Sequence, residues 1–203
     1  MNKAEEAKEI SVVYKLLSKA FIREIDVEFL RHLRTKELCD SLKALDIDFG
    51  DQFLSQDEGR LLEDLAVEYA RLFIVPGSGL SLYESVYAEE RYCGEPAQQV
   101  EEFYQKCGMG IVDETLMPDH ISLELELMSY LKQKEAELLQ NGNQDATKWL
   151  ELQKEFMSTH LSKWIPQFFA HVEEAAEHLF YKEMAKLGRQ FIAVEGDLKQ
   201  AED

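Results

Sequence analysis

The sequence is poor in the residues that interrupt helices, because its 203 residues include only 4 prolines and 10 glycines. Proline ends or kinks a helix and glycine weakens one, so their scarcity permits long helices over much of the chain. No segment alternates apolar and polar residues for long enough to predict a β-sheet. These absences predict an all-α fold.

Cysteine is also scarce, and the 3 cysteines form neither a CxxC pair nor an even disulfide framework. Reduced thiols in a cytoplasmic protein are the simplest interpretation. The N-terminal residues are charged and lack the apolar region of a signal peptide. No stretch approaches the ~20 apolar residues that span a bilayer, so we expect no stable membrane insertion.

Basic side chains are few beside acidic ones, with 22 Lys and Arg against 40 Asp and Glu and a formal net charge of −18. A field of this sign repels phosphate backbones, so we expect no nucleic-acid partner. The acidity either serves solubility or attracts a cationic ligand such as a basic peptide.

Apolar residues make up 45% of the chain and charged residues 31%, as in an ordinary folded protein. The apolar spacing predicts a single-domain bundle of roughly nine to eleven helices over residues 1–203. Residues 1–50 form N-terminal helices, and residues 55–200 form the main helical core. Two irregular stretches, 75–94 and 108–119, are expected to be functional loops.

Local signals predict several helix boundaries. Ser55 and Glu58 form an S-x-x-E capping box at the start of one helix, which should end before Pro76. The 164–166 segment, Trp-Ile-Pro, predicts a turn, and Gly188 predicts the end of another helix.

Catalytic signatures are missing. The common nucleotide-binding and serine-hydrolase motifs do not occur, so we expect no enzyme, no catalytic residue, no metal and no cofactor. A metal-dependent enzyme stays open as an alternative, with His120 and Glu124 on one helix face or His171, Glu174 and His178 on another. A solvated face of paired Glu and His side chains explains the second set better, because three ligands along one stripe rarely converge on one ion.

Asp119 and His120 stand where a helix begins. A carboxylate there can cap free backbone N–H groups, and the positive helix end keeps a histidine able to accept a hydrogen bond. A plain helix cap beside a polar ring is the alternative interpretation.

Three blocks of sequence occur in an order that resembles a known family. They are residues 69–77 followed by Tyr83–Tyr87, then Pro118–His120 leading into residues 123–128, and residues 156–160 followed by 164–166. Over roughly residues 60–170 the chain resembles the TorD/DmsD group of redox-enzyme maturation chaperones, to which the NarJ type is more distantly related.

The resemblance implies an all-helical cytoplasmic chaperone without enzymatic turnover. Members bind the twin-arginine leader peptide of a molybdenum-cofactor oxidoreductase and hold the apo catalytic subunit back from export until its cofactor is inserted. Binding mainly to the enzyme body, as in the NarJ type, is the nearest alternative, and a helical adaptor is another. Whether the chain is a monomer or a homodimer stays open, as does the client, because Ser81–Tyr83 and Leu116–Pro118 depart from the pattern of many relatives.

The resemblance also implies a peptide-binding site. Asp119 and His120 match the family's functional pair, and a carboxylate there suits the guanidinium groups of the leader, with Glu84, Glu89 and Glu90 as helpers. An apolar groove would hold the rest of the peptide. The expected peptide-binding residues are Asp119, His120, Leu72, Phe73, Pro76, Leu82, Tyr83, Tyr87 and Pro118.

Overall fold

A computed structural model describes residues 2–75, 80–110, 115–143 and 145–201. Within these ranges the chain forms eleven α-helices and no β-strand, which confirms the predicted all-α class. The helices are α1 (Lys3–Phe21), α2 (Val27–Leu33), α3 (Lys36–Ala44), α4 (Gly50–Ser55), α5 (Glu58–Tyr69), α6 (Glu84–Glu89), α7 (Glu95–Lys106), α8 (Ile121–Gln140), α9 (Ala146–Phe156), α10 (Ser162–Ala175) and α11 (Leu179–Ala201).

Two π-helical turns extend these helices. The first, Ala70–Ile74, continues α5, and the second, Met157–Leu161, joins α9 to α10. None of the helices in the described ranges is both long and apolar enough to cross a membrane.

Helix α8 is the centre of the bundle, and α1 lies antiparallel along it. The Ser129 hydroxyl donates to the Ser11 carbonyl at 2.9 Å, and Lys15 pairs with Glu126 nearer the start of α8. Serine at the contact allows the two backbones to approach closely. Most of α8 between Ile121 and Leu131 is buried, so this helix can present side chains to several neighbours.

Aromatic rings fill the core between α1, α10 and α11. The Phe21 ring centroid lies 5.6 Å from those of both Phe168 and Phe169, and Phe168 lies 5.3 Å from Phe169. All three side chains are fully buried. Burial of each ring stabilises the fold by roughly 1.5–3 kcal/mol.

Two predicted boundaries in this core are wrong. Residues 164–166 lie inside α10, since Pro166 sacrifices one helical hydrogen bond while its buried neighbours Trp164 and Ile165 pack into the core. Gly188 lies inside α11, and a Cβ there would overlap the Phe169 ring. This glycine therefore permits close packing of α10 and α11 rather than ending a helix.

The predicted capping box is also wrong. Ser55 is the last residue of α4, and Asp57 caps α5 by accepting a hydrogen bond from Arg60 N at 3.1 Å. The helical run that follows ends at Ile74, before Pro76, as the sequence predicts. The stretch expected to be a loop over residues 75–94 contains the short helix α6.

Candidate functional site

The segment before α6 lies antiparallel against the segment before α8. Tyr83 and His120 form an isolated β-bridge, Ile121 N donates to Leu82 O at 2.8 Å, and Glu84 N donates to Asp119 O at 3.0 Å. We call residues 80–83 the site loop. This pairing brings four of the expected peptide-binding residues together from two distant parts of the sequence.

Asp119 is fully buried and caps a helix other than its own. Its Oδ2 accepts a hydrogen bond from Ser85 N at 2.8 Å, at the start of α6. Tyr83, which precedes α6, provides no side-chain cap. The carboxylate thus satisfies a free N–H group and interacts favourably with the positive end of α6, as the sequence predicted for α8.

His120 is the residue that caps α8. Its Nδ1 accepts from Ser122 N at 3.2 Å and lies 2.7 Å from the Ser122 hydroxyl. Because Nδ1 accepts, the ring hydrogen lies on Nε2. The Tyr83 ring stands nearly perpendicular to the imidazole with centroids 5.0 Å apart, so His120 also supports the site loop.

A buried polar cluster lies below the site loop, and we call it the site cluster: Glu84, Asp119, Glu124 and His160. None of these residues is more than 3% exposed. His160 Nδ1 lies 2.8 Å from Glu84 Oε2, and Trp164 Nε1 donates to Glu124 Oε2 at 3.0 Å. Burial, helped by the nearby carboxyl groups of Glu84 and Asp119, raises the pKa of Glu124 well above its usual range.

The second π turn contributes to this site. It carries His160, whose ring lies 4.9 Å from that of Phe156. Single π turns inside α-helices frequently occur at functional sites. The sequence does not single out His160 as a site residue, because an inserted π turn leaves little trace in apolar spacing.

Three other expected peptide-binding residues pack against the core or against buried aromatic side chains. Leu72 and Phe73 face the core, where Phe73 stacks on Phe168 with centroids 6.2 Å apart. Tyr87 is half-buried, and its ring lies 5.3 Å from Trp164 and 6.2 Å from His171. Pro76 lies outside the described residues.

The solvent side of the site is aromatic and apolar. We call Tyr83, Tyr92, Met117 and Pro118 the outer face. The Tyr83 and Tyr92 rings meet at 5.5 Å, and Tyr92 is 60% exposed. Pro118 also lines a cleft of about 400 Å³ whose other walls include Glu101, Tyr104, Met109 and Leu116.

The carboxylates proposed as helpers differ in availability. Glu84 is buried against His160, and Glu89 accepts from Arg91 Nε at 2.7 Å and from Glu95 N at 3.1 Å. Glu90 is exposed, and Glu101 lines the cleft beside the outer face. These last two carboxylates are the ones placed to meet a cation from solvent.

The metal alternatives gain no geometric support. His171 and Glu174 lie on α10, but that helix ends at Ala175, so His178 does not share their face. His178 Nδ1 instead accepts from Phe180 N at 3.1 Å. In the part of the chain that the structure describes, no three His, Cys, Asp or Glu side chains are arranged to hold a metal ion.

Comparison with known proteins supplies a family. The model of the family described as nitrate reductase delta subunit matches residues 29–170. Chaperone protein TorD of Escherichia coli O157:H7 (strain EC4115 / EHEC) is 25% identical over 94% of this chain and 96% of its own. The chlorate reductase assembly chaperone protein of Ideonella dechloratans is 33% identical over 55% of this chain and 58% of its own.

A solved structure agrees with these relatives. The crystal structure of a protein described as a redox enzyme maturation protein from Archaeoglobus fulgidus superposes with a TM-score of 0.61 and 25% identity. The superposition covers 92% of this chain and 93% of that one.

Proposed function

The chain belongs to the nitrate reductase delta subunit family and is a redox-enzyme maturation chaperone, and from this premise we propose that it binds the twin-arginine leader peptide of a molybdenum-cofactor oxidoreductase. The relatives named above are chaperones and not enzymes, as the sequence predicts for this chain. Binding would hold the apo catalytic subunit in the cytoplasm until its cofactor is inserted.

The outer face suits the apolar stretch of such a leader. It combines two tyrosine rings with Met117 and Pro118, and the cleft next to it continues this surface toward Met109 and Leu116. Exposed aromatic and methionine side chains provide adaptable contact area for an apolar peptide. The observation that supports the proposal most directly is the pairing of the half-exposed Tyr83 with the segment before α8.

The arginines of the leader need carboxylates. Glu90, two residues before Tyr92, and Glu101, in the cleft that Pro118 lines, are accessible to them. The formal charge of −18 also attracts a cationic leader over a longer range, which speeds encounter more than it strengthens the final complex. Asp119 supports binding differently, because its buried carboxylate holds α6 in place instead of facing the peptide.

A panel of leader peptides tests the proposal. Leaders from each twin-arginine molybdenum oxidoreductase of the source organism are titrated into the purified chain by calorimetry. At least one should bind, and replacing its two arginines by glutamines should weaken binding about tenfold or more, with lysines intermediate because they lack the planar fork of arginine. Raising the salt concentration should weaken binding of the native leader more than binding of the leader with two glutamines.

Two tyrosine variants separate the site from general packing. Tyr83→Ala should weaken leader binding about tenfold through loss of an aromatic contact while the melting temperature changes little. Tyr130→Ala is the matched control, since Tyr130 is also half-buried but packs on Trp149 farther along α8. Equal losses of affinity in the two variants would contradict a site at the outer face.

The alternative ligand is the enzyme body. Copurification of the chain with the apo catalytic subunit, with and without its leader, distinguishes binding to the leader from binding to the enzyme body. Loss of capture when the leader is removed supports our proposal, whereas undiminished capture without it, together with no binding by any isolated leader, overturns it.

A further inference from the structure

The site cluster buries four titratable side chains, although contact with a peptide at the outer face does not itself require them. Three carboxyl groups and one imidazole are buried together below the site loop. Removing a charged group from water costs several kcal/mol unless it is paired and hydrogen-bonded. The arrangement of protons and hydrogen bonds within the cluster therefore decides whether α6 and the site loop hold their position.

The available donors define that arrangement. Glu124 Oε2 accepts from Trp164 Nε1 at 3.0 Å, whereas Glu124 Oε1 has no donor among the described residues. The carboxyl group of Glu84 is a close neighbour of Glu124. When one of two adjacent buried carboxyl groups is ionised, its charge disfavours ionisation of the other. A neutral Glu124 has a hydroxyl group that can donate a hydrogen bond to Glu84. This bond satisfies the unpaired oxygen of Glu124, and the loss of charge removes the repulsion between the two carboxyl groups.

We propose that Glu124 and His160 are positioning residues for the peptide site, and that each donates a hydrogen bond to the Glu84 carboxylate, Glu124 as the neutral acid and His160 through Nδ1. Glu84 is the first residue of α6 and follows Tyr83, so holding its side chain holds the ring at the outer face. The identity of the peptide rests on the proposed function, but the hydrogen-bonded arrangement does not.

This arrangement couples the site to pH. The titratable groups that surround Glu124 are Glu84 from α6, Asp119 from the segment before α8, Tyr104 from α7 and, through Glu84, His160 from the second π turn. When Glu124 loses its proton, two neighbouring carboxylates repel each other and the bond to Glu84 is lost. Peptide affinity should then fall as pH rises, although no member of the site cluster touches the peptide.

Substitutions at Glu124 test the hydrogen bond. Glu124→Gln retains an amide donor for Glu84 and an acceptor for Trp164, whereas Glu124→Ala removes both. Measured at neutral pH by mass spectrometry on the full chain, amide hydrogen exchange in α6 should rise about tenfold in the alanine variant and stay near wild type in the glutamine variant. Exchange in the core of α10 is the internal control. Rapid α6 exchange in the glutamine variant, or no change in the alanine variant, would contradict the proposal.

Two substitutions of His160 provide a second test of the hydrogen bond to Glu84. His160→Gln keeps an N–H group able to reach Glu84, and His160→Leu fills the space without a donor. Exchange in α6 should increase in the leucine variant and be restored largely in the glutamine variant. Equal exchange in both would show that His160 acts only through packing.

Trp164 fluorescence reports the proton directly. The chain has two tryptophans, so a Trp149→Phe background isolates the indole that donates to Glu124. Its emission should titrate at a pH above the ordinary glutamate range, and Glu124→Gln should remove that transition. Emission that is constant, or that titrates equally in the glutamine variant, overturns the protonation assignment.

Leader binding completes the test. Wild-type affinity should fall about tenfold across the same transition, while Glu124→Gln should keep its affinity at high pH. If no leader binds the wild type at any pH, the proposed function fails, but hydrogen exchange and fluorescence still decide the positioning proposal. If leaders bind with the same pH dependence in wild type and Glu124→Gln, the coupling proposal fails alone.

Discussion

Two helix junctions in this protein are buried by opposite means. Between α10 and α11 the contact is made of rings, with Phe169 lying against the bare backbone of Gly188. Between α6 and α8 it is made of carboxyl groups, an imidazole and backbone N–H groups. Both junctions exclude solvent from their central side chains. The ion pair between Glu173 and Arg189 lies at the partly exposed edge of the first junction, whereas the titratable groups of the second are buried at its centre.

The difference has a physical consequence for function. Apolar packing is non-directional and does not respond to protonation, so the α10–α11 junction serves as a rigid frame. A buried polar network holds its parts in one geometry only while each donor and acceptor is satisfied. The network thus places Tyr83 accurately, and it makes that placement sensitive to a single proton.

The largest effect should come from the apolar junction. Phe169→Ala removes a fully buried ring and should lower the free energy of unfolding by about 3–5 kcal/mol. Chemical denaturation should show nearly the same loss at pH 5 and pH 8, because the Phe169 ring packs against the rings of Phe21 and Phe168, which do not titrate. If the loss of unfolding free energy varied strongly with pH, the proposed difference in pH dependence between the two junctions would be contradicted.

A smaller loss should follow from adding one carbon at the same junction. Gly188→Ala places a methyl group against the Phe169 ring and should cost about 1–3 kcal/mol through overpacking. Gly142→Ala is a less suitable comparison because Gly142 has a positive φ of 65°. Gly196 lies in the same helix as Gly188, and a Cβ there would make only an ordinary van der Waals contact, with Ser162 Oγ at 3.6 Å. Gly196→Ala should be neutral or stabilising, and equal losses in the two variants would contradict close packing at Gly188.

At the polar junction, Asp119→Ala should cost about 0.5–2 kcal/mol, since it removes the cap of α6. Asp119→Asn keeps an oxygen that accepts from Ser85 N and should cost less. Leader affinity should follow the same order, with the alanine variant weaker than the asparagine variant. Equal loss of affinity in both would indicate instead that the negative charge itself contacts the peptide.

The smallest effect at acidic pH should come from Glu124→Gln. The pKa of Glu124 is raised in the folded state, so its stabilising contribution is complete below the unfolded pKa of about 4.3 and is lost as pH rises through the folded pKa. The variant should therefore match the wild type near pH 4 and become progressively more stable relative to it at higher pH. Denaturation midpoints across this range provide the measurement, and parallel curves would contradict the raised pKa.

Much of the fold could be predicted because it follows from local patterns. Apolar residues at helical spacing identify α1, α5 and α8, and the scarcity of proline excludes frequent breaks. The predictions at Trp164–Pro166 and Gly188 are wrong for one shared reason. Local propensity favours a break at proline and glycine, but burial of Trp164 and the fit of Phe169 against Gly188 outweigh it.

For the candidate site, the sequence identified residues of the paired segments but not the hydrogen bonds of the buried site cluster. The sequence singled out Asp119, His120 and Tyr83, and the structure places them together. It did not assign Asp119 to the cap of α6, because a cap between segments distant in sequence leaves no local signal. Glu124 offered one clue, since it interrupts an apolar run in the half of α8 that is buried.

The sequence by itself determined the helical class, the acidic charge and the family blocks, because composition, spacing and motif order are properties of the chain alone. Only the tertiary structure decided which carboxyl groups face solvent and which are buried. Glu90 and Glu84 are both glutamates near the site loop, yet one is exposed and the other lies against His160. Solvation and neighbouring donors set the protonation and role of a carboxyl group, and both depend on packing between segments far apart in the sequence.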